Sequence, residues 1–187
     1  EAILAGYIMA SGEFGPWEVI GGVRVEQTDV ESSGFLLRGT TSQTRVSSQG
    51  DYTEALPALL VNFRPDDDWV FRAAVTRALG RPDYNQIAPR STFTENGAVG
   101  TVSVGNPDLV ARKSWNYDLG VEWYPNQLTA LSASVFRKDI TAPIEQSALD
   151  NNNDKITYLN YDEAEVMGVE FEARGRLDRL WAPLGEF

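Results

Sequence analysis

The connections between strands constrain this chain more than the strands themselves. Apolar and polar residues alternate with a period near two along most of the sequence, as they do in strands that present one apolar face. Seven strands are predicted, over 2–13, 17–29, 53–64, 69–80, 112–124, 128–140 and 156–177. Tight turns at Glu13–Pro16, Pro65–Asp68 and Pro125–Gln127 alternate strictly with long polar segments over about 30–52, 81–111 and 141–155, and Asp178–Pro183 reads as a further turn. Sandwich loops are usually short at both ends, and structureless loops this long are uncommon in compact domains. An up-and-down barrel wall in a membrane has short turns on one side and long loops on the other. Its tilted strands need about 9–11 residues to cross, a length these strands reach.

Aromatic residues supply an independent test. Phe14 and Trp17 flank the first short turn, Phe63 and Trp69 flank the second, and Trp123 and Tyr124 precede the third. Rings gather where strands leave the hydrocarbon because they tolerate both fat and water. A single aromatic pair at a hairpin end has a simpler explanation in cross-strand packing, but three successive short turns favour a membrane girdle. The faces opposite the apolar ones carry Arg24, Glu26, Arg72, Glu122, Glu170, Glu172 and Arg174, which are expected to line the polar lumen of such a wall and to pair with one another. A soluble sandwich exposing these charges to water would look the same, so alternation alone leaves both folds open. The competing reading is a soluble all-β ligand-binding, carbohydrate-binding or adhesion module. Pro57 cannot donate to a ladder, and its place near a loop end suggests a bulge or a strand entrance.

Composition excludes several functions. The 187 residues suggest one domain or a piece of one, with no Cys and no His, so thiolate or His-ligated metal sites and Ser-His-Asp or Cys-His catalysis are ruled out within this chain. A net charge of −11 makes nucleic acid a poor partner. No apolar run approaches the roughly 18 residues of a membrane-spanning helix. The termini read as those of an internal piece of a longer chain. No cofactor or metal is expected. Asp150–Asp154 lacks the Gly and the distal Glu of a calcium loop and reads as a solvated loop tip. Glu170 and Glu172 stand about 7 Å apart by strand rise, within the range of inverting glycosidases, but such pairs are common on wet strand faces and no enzyme is expected. Arg81, Asp83, Tyr84, Asn85 and Gln86 are the candidate substrate contacts of an outer loop, while Asn106-Pro107-Asp108 reads as turn chemistry.

Three stretches carry a resemblance. DYTEALPALLVNFRPDDDWVFRAAVTRALGRPDYNQIAP (51–89) is similar to barrel segments in which a Leu-Pro strand entrance leads through a turn to an Arg-Pro-x-Tyr loop. GNPDLVARKSWNYDLGVEWYPNQLTALSASVFRKDI (105–140) matches more specifically, with a Gly-Asn-Pro-x-Leu loop, an Asn-Tyr-Asp-Leu-Gly-x-Glu strand and a Phe-x-Lys-Asp-Ile close. EAEVMGVEFEARGRL (163–177) is similar to the strand that follows, with its Gly-x-Glu-x-Glu centre. Together they resemble the TonB-dependent outer-membrane receptors, of the Caulobacter and Xanthomonas type. The resemblance implies an all-β antiparallel meander, roughly seven or eight strands of a barrel of about 22, with residues 1–187 forming part of the barrel domain and the plug and other strands lying elsewhere. It implies uptake of a scarce nutrient (siderophore-, cobalamin- or oligosaccharide-like) across the outer membrane, with energy from the TonB complex. The implied partners are that complex and the plug through the rest of the parent chain, outer-membrane lipid and the nutrient. Seven strands cannot close such a circumference, and open edges in lipid cost several kcal/mol for each unpaired backbone group. The chain is therefore expected to belong to a larger wall or to curl into a small closed or dimeric barrel.

Overall fold

The computed structural model of the chain describes residues 1–38, 42–88, 91–96, 99–149 and 155–175. In chain order the elements are β1 (Ala2–Phe14), β2 (Trp17–Arg38), β3 (Ser42–Phe63), β4 (Trp69–Gly80), α1 (Tyr84–Ile87), β5 (Ser91–Asn96), β6 (Val99–Val104), β7 (Arg112–Asn126), β8 (Thr129–Thr141), β9 (Ile144–Ala148), β10 (Lys155–Asn160) and β11 (Glu163–Arg174). Seven of them form one antiparallel meander in the order β1-β2-β3-β4-β7-β8-β11, and each of the seven predicted strands has its counterpart there. Within the described residues this sheet is open, with β1 and β11 at its edges.

Each short turn is built by its own residues. Gly15 has φ of +60° at the first central position between β1 and β2, the left-handed geometry that a II′ hairpin turn reserves for glycine. Asp66 Oδ1 accepts the N–H groups of Asp68 and Trp69, both at 3.0 Å, and Asn126 Oδ1 accepts that of Leu128 at 2.9 Å; both are Asx turns. The β7–β8 ladder shifts between Trp123↔Leu131 and Asn126↔Thr129. Tyr124 and Pro125 thus oppose one residue, a bulge that accommodates the donor missing at Pro125.

The register sorts the sheet into two faces. Val19, Val61, Ala73, Leu119, Val135 and Val169 stand in line on one face, and Arg24, Glu54, Asn62, Arg72, Asp118, Glu122, Ser134 and Glu170 on the other. The apolar face is uncovered: Leu119 is 59 % exposed, Val169 60 % and Phe171 82 %. A soluble sandwich would bury that face under a second sheet, but the four-stranded sheet β5-β6-β10-β9 lies at the loop end and leaves it bare. Apolar residues that are truly buried are few among the described residues. Val70 lies in the wall, while Ala88, Leu109 and Ala111 pack beneath the loops.

The long connections depart from the expected open loops. Segment 30–52 continues the β2–β3 hairpin, paired in register from Trp17↔Phe63 to Arg38↔Ser42. Segment 81–111 holds α1 and the β5–β6 hairpin, and 141–155 holds β9. The predicted strand 156–177 is two strands, β10 and β11. Ala142 takes a left-handed φ of 55° before Pro143, and across from them the chain breaks at Tyr161–Asp162. Two backbone bonds bridge the break, Tyr161 N–H to Pro143 C=O at 2.9 Å and Ala142 N–H to Asp162 C=O at 3.2 Å. The hairpin resumes as β9–β10, and β10 turns to pair with β6 in parallel through Lys155↔Val102 and Ile156↔Ser103. Asp150–Asp154 and Asp178–Pro183 lie outside the described residues.

Pro57 acts on the sheet as well as on its own strand. The β2–β3 ladder runs through it, but the β3–β4 ladder ends at Ala58↔Thr76, on the side that its missing N–H would have served. Arg77 fills the resulting gap, donating to the Ala55 carbonyl at 2.8 Å and to Glu54 Oε2 at 3.0 Å. A carbonyl left over by the ladder thereby gains a charged donor.

Candidate functional site

The apolar face ends in aromatics at both levels. Trp17–Phe63 (4.3 Å between ring centroids), Phe63–Phe71 (6.0 Å), Phe71–Trp69 (6.0 Å) and Trp69–Trp123 (5.7 Å) form an unbroken chain of rings beside the short turns. Phe14 stands next to Trp17 in register. Tyr124 stands at the level of Trp123 but on the polar face of the sheet. Its hydroxyl donates to Glu122 Oε2 at 2.6 Å, because alternation along β7 puts Tyr124 on the face of Glu122 and opposite to Trp123. The sequence reading missed a second level, where Trp115 and Tyr117 stand beside Arg77, Asp139 and Arg137. From Trp123 to Trp115 is about 27 Å along the strand, or about 20 Å along the axis at a tilt of about 40°, close to the apolar band of an outer-membrane barrel.

On the polar face the predicted charges bind one another. Arg72 holds Glu122 through two bonds, Nε to Oε1 at 2.7 Å and Nη2 to Oε2 at 3.2 Å, and reaches Asn62 Oδ1 at 3.3 Å. Asn62 donates to Glu18 Oε2 at 2.8 Å, which Arg64 meets at 3.1 Å. The network crosses β2, β3, β4 and β7. Glu170, Glu172 and Arg174 lie on the same face of the edge strand, the two glutamates opposite Ser134 and Ser132 and Arg174 opposite Ala130. Arg72 is half exposed, so solvent screening limits what the network contributes. We expect Arg72→Met to lower stability by only about 1 kcal/mol, read from urea unfolding of the receptor in micelles; a loss several times larger would show a wall that depends on this ion pair.

Near the loops Arg24 Nε donates to Glu26 Oε1 at 2.5 Å, and Arg81 Nη2 donates to Glu26 Oε2 at 2.5 Å and to Thr28 Oγ1 at 3.0 Å. Glu26 and Thr28 are buried. The bond to Glu26 raises the pKa of Arg81 above its ordinary value, so Arg81 is a permanent cation pinned to the wall. Of its neighbours in the expected contact loop, Asp83 precedes α1 and gives its N–H to Gln86 Oε1 at 2.8 Å, one half of a capping box. Gln86 passes its carbonyl to Asn106 N–H at 2.7 Å. Asn85 sits within α1, and Tyr84 is two-thirds exposed.

The loops interlock around Gly105, Asn106 and Asn160, which sequence reasoning passed over as site-building residues. A Cβ at Gly105 would collide with the Ala88 carbonyl. Asn106 closes its own turn, Oδ1 to Asp108 N–H at 3.0 Å, and donates to the Tyr158 carbonyl at 2.8 Å. Asn160 accepts Val110 N–H at 2.9 Å and donates to the carbonyls of Val110 at 3.0 Å and Ala142 at 2.8 Å.

Beneath these loops lies a cavity of about 650 Å³, lined among others by Ser32, Tyr52, Glu54, Arg81, Tyr84, Leu109, Val110 and Lys113. Only Arg81 and Tyr84 of the predicted contacts line it. Ser32 and Tyr52 come from a stretch without apolar alternation and were hidden by it. Among the described residues no group of three or more carboxylate-type ligands is placed to hold a metal, and no helix is long and apolar enough to cross a membrane, which says nothing of strands.

An apolar outer face bounded by two aromatic levels, a polar inner face and a short-turn, long-loop asymmetry define a section of an outer-membrane β-barrel wall. A family model described as "TonB dependent receptor-like, beta-barrel" matches residues 2–187, and the chain belongs to that family. These are outer-membrane transport receptors of Gram-negative bacteria, not an enzyme family, and the outer membrane is where this wall resides. Comparison with curated proteins gives no match. Among solved structures, the chain is similar to a double mutant of the Serratia marcescens hemophore receptor HasR, in complex with its hemophore HasA and heme. That match has 14 % identity and a TM-score of 0.71, and covers 91 % of this chain and 31 % of that one. It is similar also to the siderophore receptor PirA of Pseudomonas aeruginosa (18 %, TM-score 0.60, 90 % and 38 %) and the FrpB iron transporter of Neisseria meningitidis (17 %, TM-score 0.59, 92 % and 23 %). At these identities the likeness is one of fold, and the chain spans under two-fifths of each structure's length.

Proposed function

We propose that residues 1–187 form part of the barrel domain of a receptor that binds a scarce nutrient at its outer face and imports it with energy from the TonB complex. The chain itself carries out no catalysis. The continuous apolar outer face with its two aromatic levels carries this reading, since it is useless to a soluble binding module and necessary to a lipid-embedded wall. The neighbours named for heme and siderophores support a nutrient of comparable scarcity and size. Within the full receptor the plug would meet the Arg72–Glu122 wall and its neighbours Arg24, Glu26, Glu170, Glu172 and Arg174. The test is collisional quenching in lipid brominated along its acyl chains, using receptor variants that retain only Trp17, Trp69 or Trp123. Strong quenching of all three is expected. Emission unaffected by the brominated lipid in a folded receptor overturns the membrane assignment.

A further inference from the structure

Resting on the reading of the chain as an outer-membrane receptor wall, we infer that a notch in the apolar face over β7 and β8 binds one acyl chain of a phospholipid whose headgroup carries a free ammonium. One register row crosses the sheet as Trp17↔Phe63↔Phe71↔Val121↔Ala133↔Phe171. Rings stand tall in that row from β2 to β4 and again on β11, and between them it drops to a valine and an alanine. Two adjoining hollows, of about 690 and 450 Å³, meet at Val121, Ala133 and Phe171. Trp123 and Leu131 bound the notch toward the short turns, while Leu119 and Val135 continue it toward the midplane. Phe71 and Phe171 are three strands apart, about 14 Å between backbones, which leaves room between their rings for a single hydrocarbon chain.

The occupant follows from where the notch lies. It is continuous with the lipid-facing band between the two aromatic levels, where no water is at hand to fill it. A void there forfeits the dispersion contacts of the side chains that line it. Lipid tails are as apolar as the notch, so close packing holds the chain and expulsion from water does not. A flexible acyl chain threads between Phe71 and Phe171, whereas the same two rings hold off a second protein wall. Charge selects the headgroup. The turn that leads into Trp69 carries Asp66, Asp67 and Asp68, all exposed. The described cations at that level are turned to the polar face, where Arg64 holds Glu18 at 3.1 Å and Arg174 lies opposite Ala130. An anionic headgroup at the foot of the notch therefore meets net repulsion, and an ammonium meets attraction.

The test uses the full-length receptor with Trp123 as its only tryptophan, in phosphatidylcholine vesicles doped sparingly with either of two probes. These are phosphatidylethanolamine and phosphatidylglycerol, each brominated on its acyl chains. Phosphatidylethanolamine is expected to quench Trp123 at a mole fraction about fivefold lower than phosphatidylglycerol does, the effect of one headgroup charge beside a charged surface. Ala133→Phe fills the notch and Phe171→Ala removes one of its walls, and each is expected to abolish the difference. Val75→Phe adds bulk to the same face outside the notch, opposite Leu59 and Tyr117, and is expected to keep it. Phe171 is largely exposed, so its truncation tests the notch even where Ala133→Phe fails to fold. Equal quenching by the two lipids, stronger quenching by phosphatidylglycerol, or a preference that Phe171→Ala leaves unchanged overturns the site. Each of these results leaves the receptor reading intact, because Trp123 is still quenched, whereas emission unaffected when every lipid is brominated removes the receptor reading itself.

Discussion

Replacing Leu119 by Arg is expected to cost about 2–4 kcal/mol of barrel stability in lipid, the cost of a cation on the outer face near the bilayer midplane. Leu119 stands midway between Trp123 and Trp115 on β7, opposite Ala73 and Val135, and is largely exposed. In water such a substitution would be nearly neutral or would help solubility. In lipid the guanidinium has neither water nor a facing carboxylate, because the nearest charges on that face, Arg137 and Asp139, lie at the Tyr117 and Trp115 levels. Refolding of the full receptor into phospholipid vesicles, followed by the shift in electrophoretic mobility between folded and heated samples, gives the folded fraction. The control is Ser134→Arg, one residue before Val135 on β8 but on the polar face opposite Glu170. It is expected to cost under about 1 kcal/mol, since the lumen side is wet. Equal losses in the two variants would mean that the two faces of the wall are wrongly assigned.

The same sidedness explains which parts of the molecule were legible in the sequence. Where lipid covers one face and water the other, residues must alternate, and β4, β7 and β8 were bounded to within about two residues. Beyond the apolar band both faces are wet. Ser32–Ser33, Ser47–Ser48 and Gln49–Gly50–Asp51 then carry no period, and the outer half of the β2–β3 hairpin reads as a loop although it is paired throughout. The cavity residues that this outer half supplies, Val30, Glu31, Ser32, Gln49, Gly50, Asp51 and Tyr52, were lost with it. The charges of the polar face were legible because the alternation extends through them. The break at Ala142–Pro143 was concealed by a different cause. The apolar pattern of Tyr158–Leu159 continues into that of Val166–Val169, and only the turn chemistry of Tyr161–Asp162 separates two strands that join different sheets.

Asn160→Ala is expected to be the most damaging single change in the loops. One carboxamide there does the work of a strand edge. It completes a two-way pairing with the Val110 backbone and at the same time holds the carbonyl of Ala142, where the β8–β9 chain turns through its left-handed residue. Removing it frees the N–H and carbonyl of Val110, which are solvent-exposed, and the part-buried carbonyl of Ala142. Water can reach part of this site, so the loss is put at about 2–3 kcal/mol rather than the sum of three full penalties. The cost falls on the loops and not on the wall, since the β7–β8 and β8–β11 ladders end at Thr141. The variant receptor is therefore expected to keep its heat-modifiable mobility and its tryptophan quenching. Brief protease treatment from the loop side is expected to cut it near Val110 and Ala142 at least ten times faster than the parent, the rate ratio that about 1.4 kcal/mol of local opening already gives. Asn160→Asp provides the decisive comparison. It keeps the acceptor for Val110 N–H and loses both donors, so its cleavage rate is expected to fall between those of the parent and of Asn160→Ala. If Asn160→Ala is cut no faster than the parent, the carboxamide clamp does not hold the loops. If Asn160→Asp behaves as the parent does, the two donated bonds contribute nothing and the clamp reduces to a single bond to Val110.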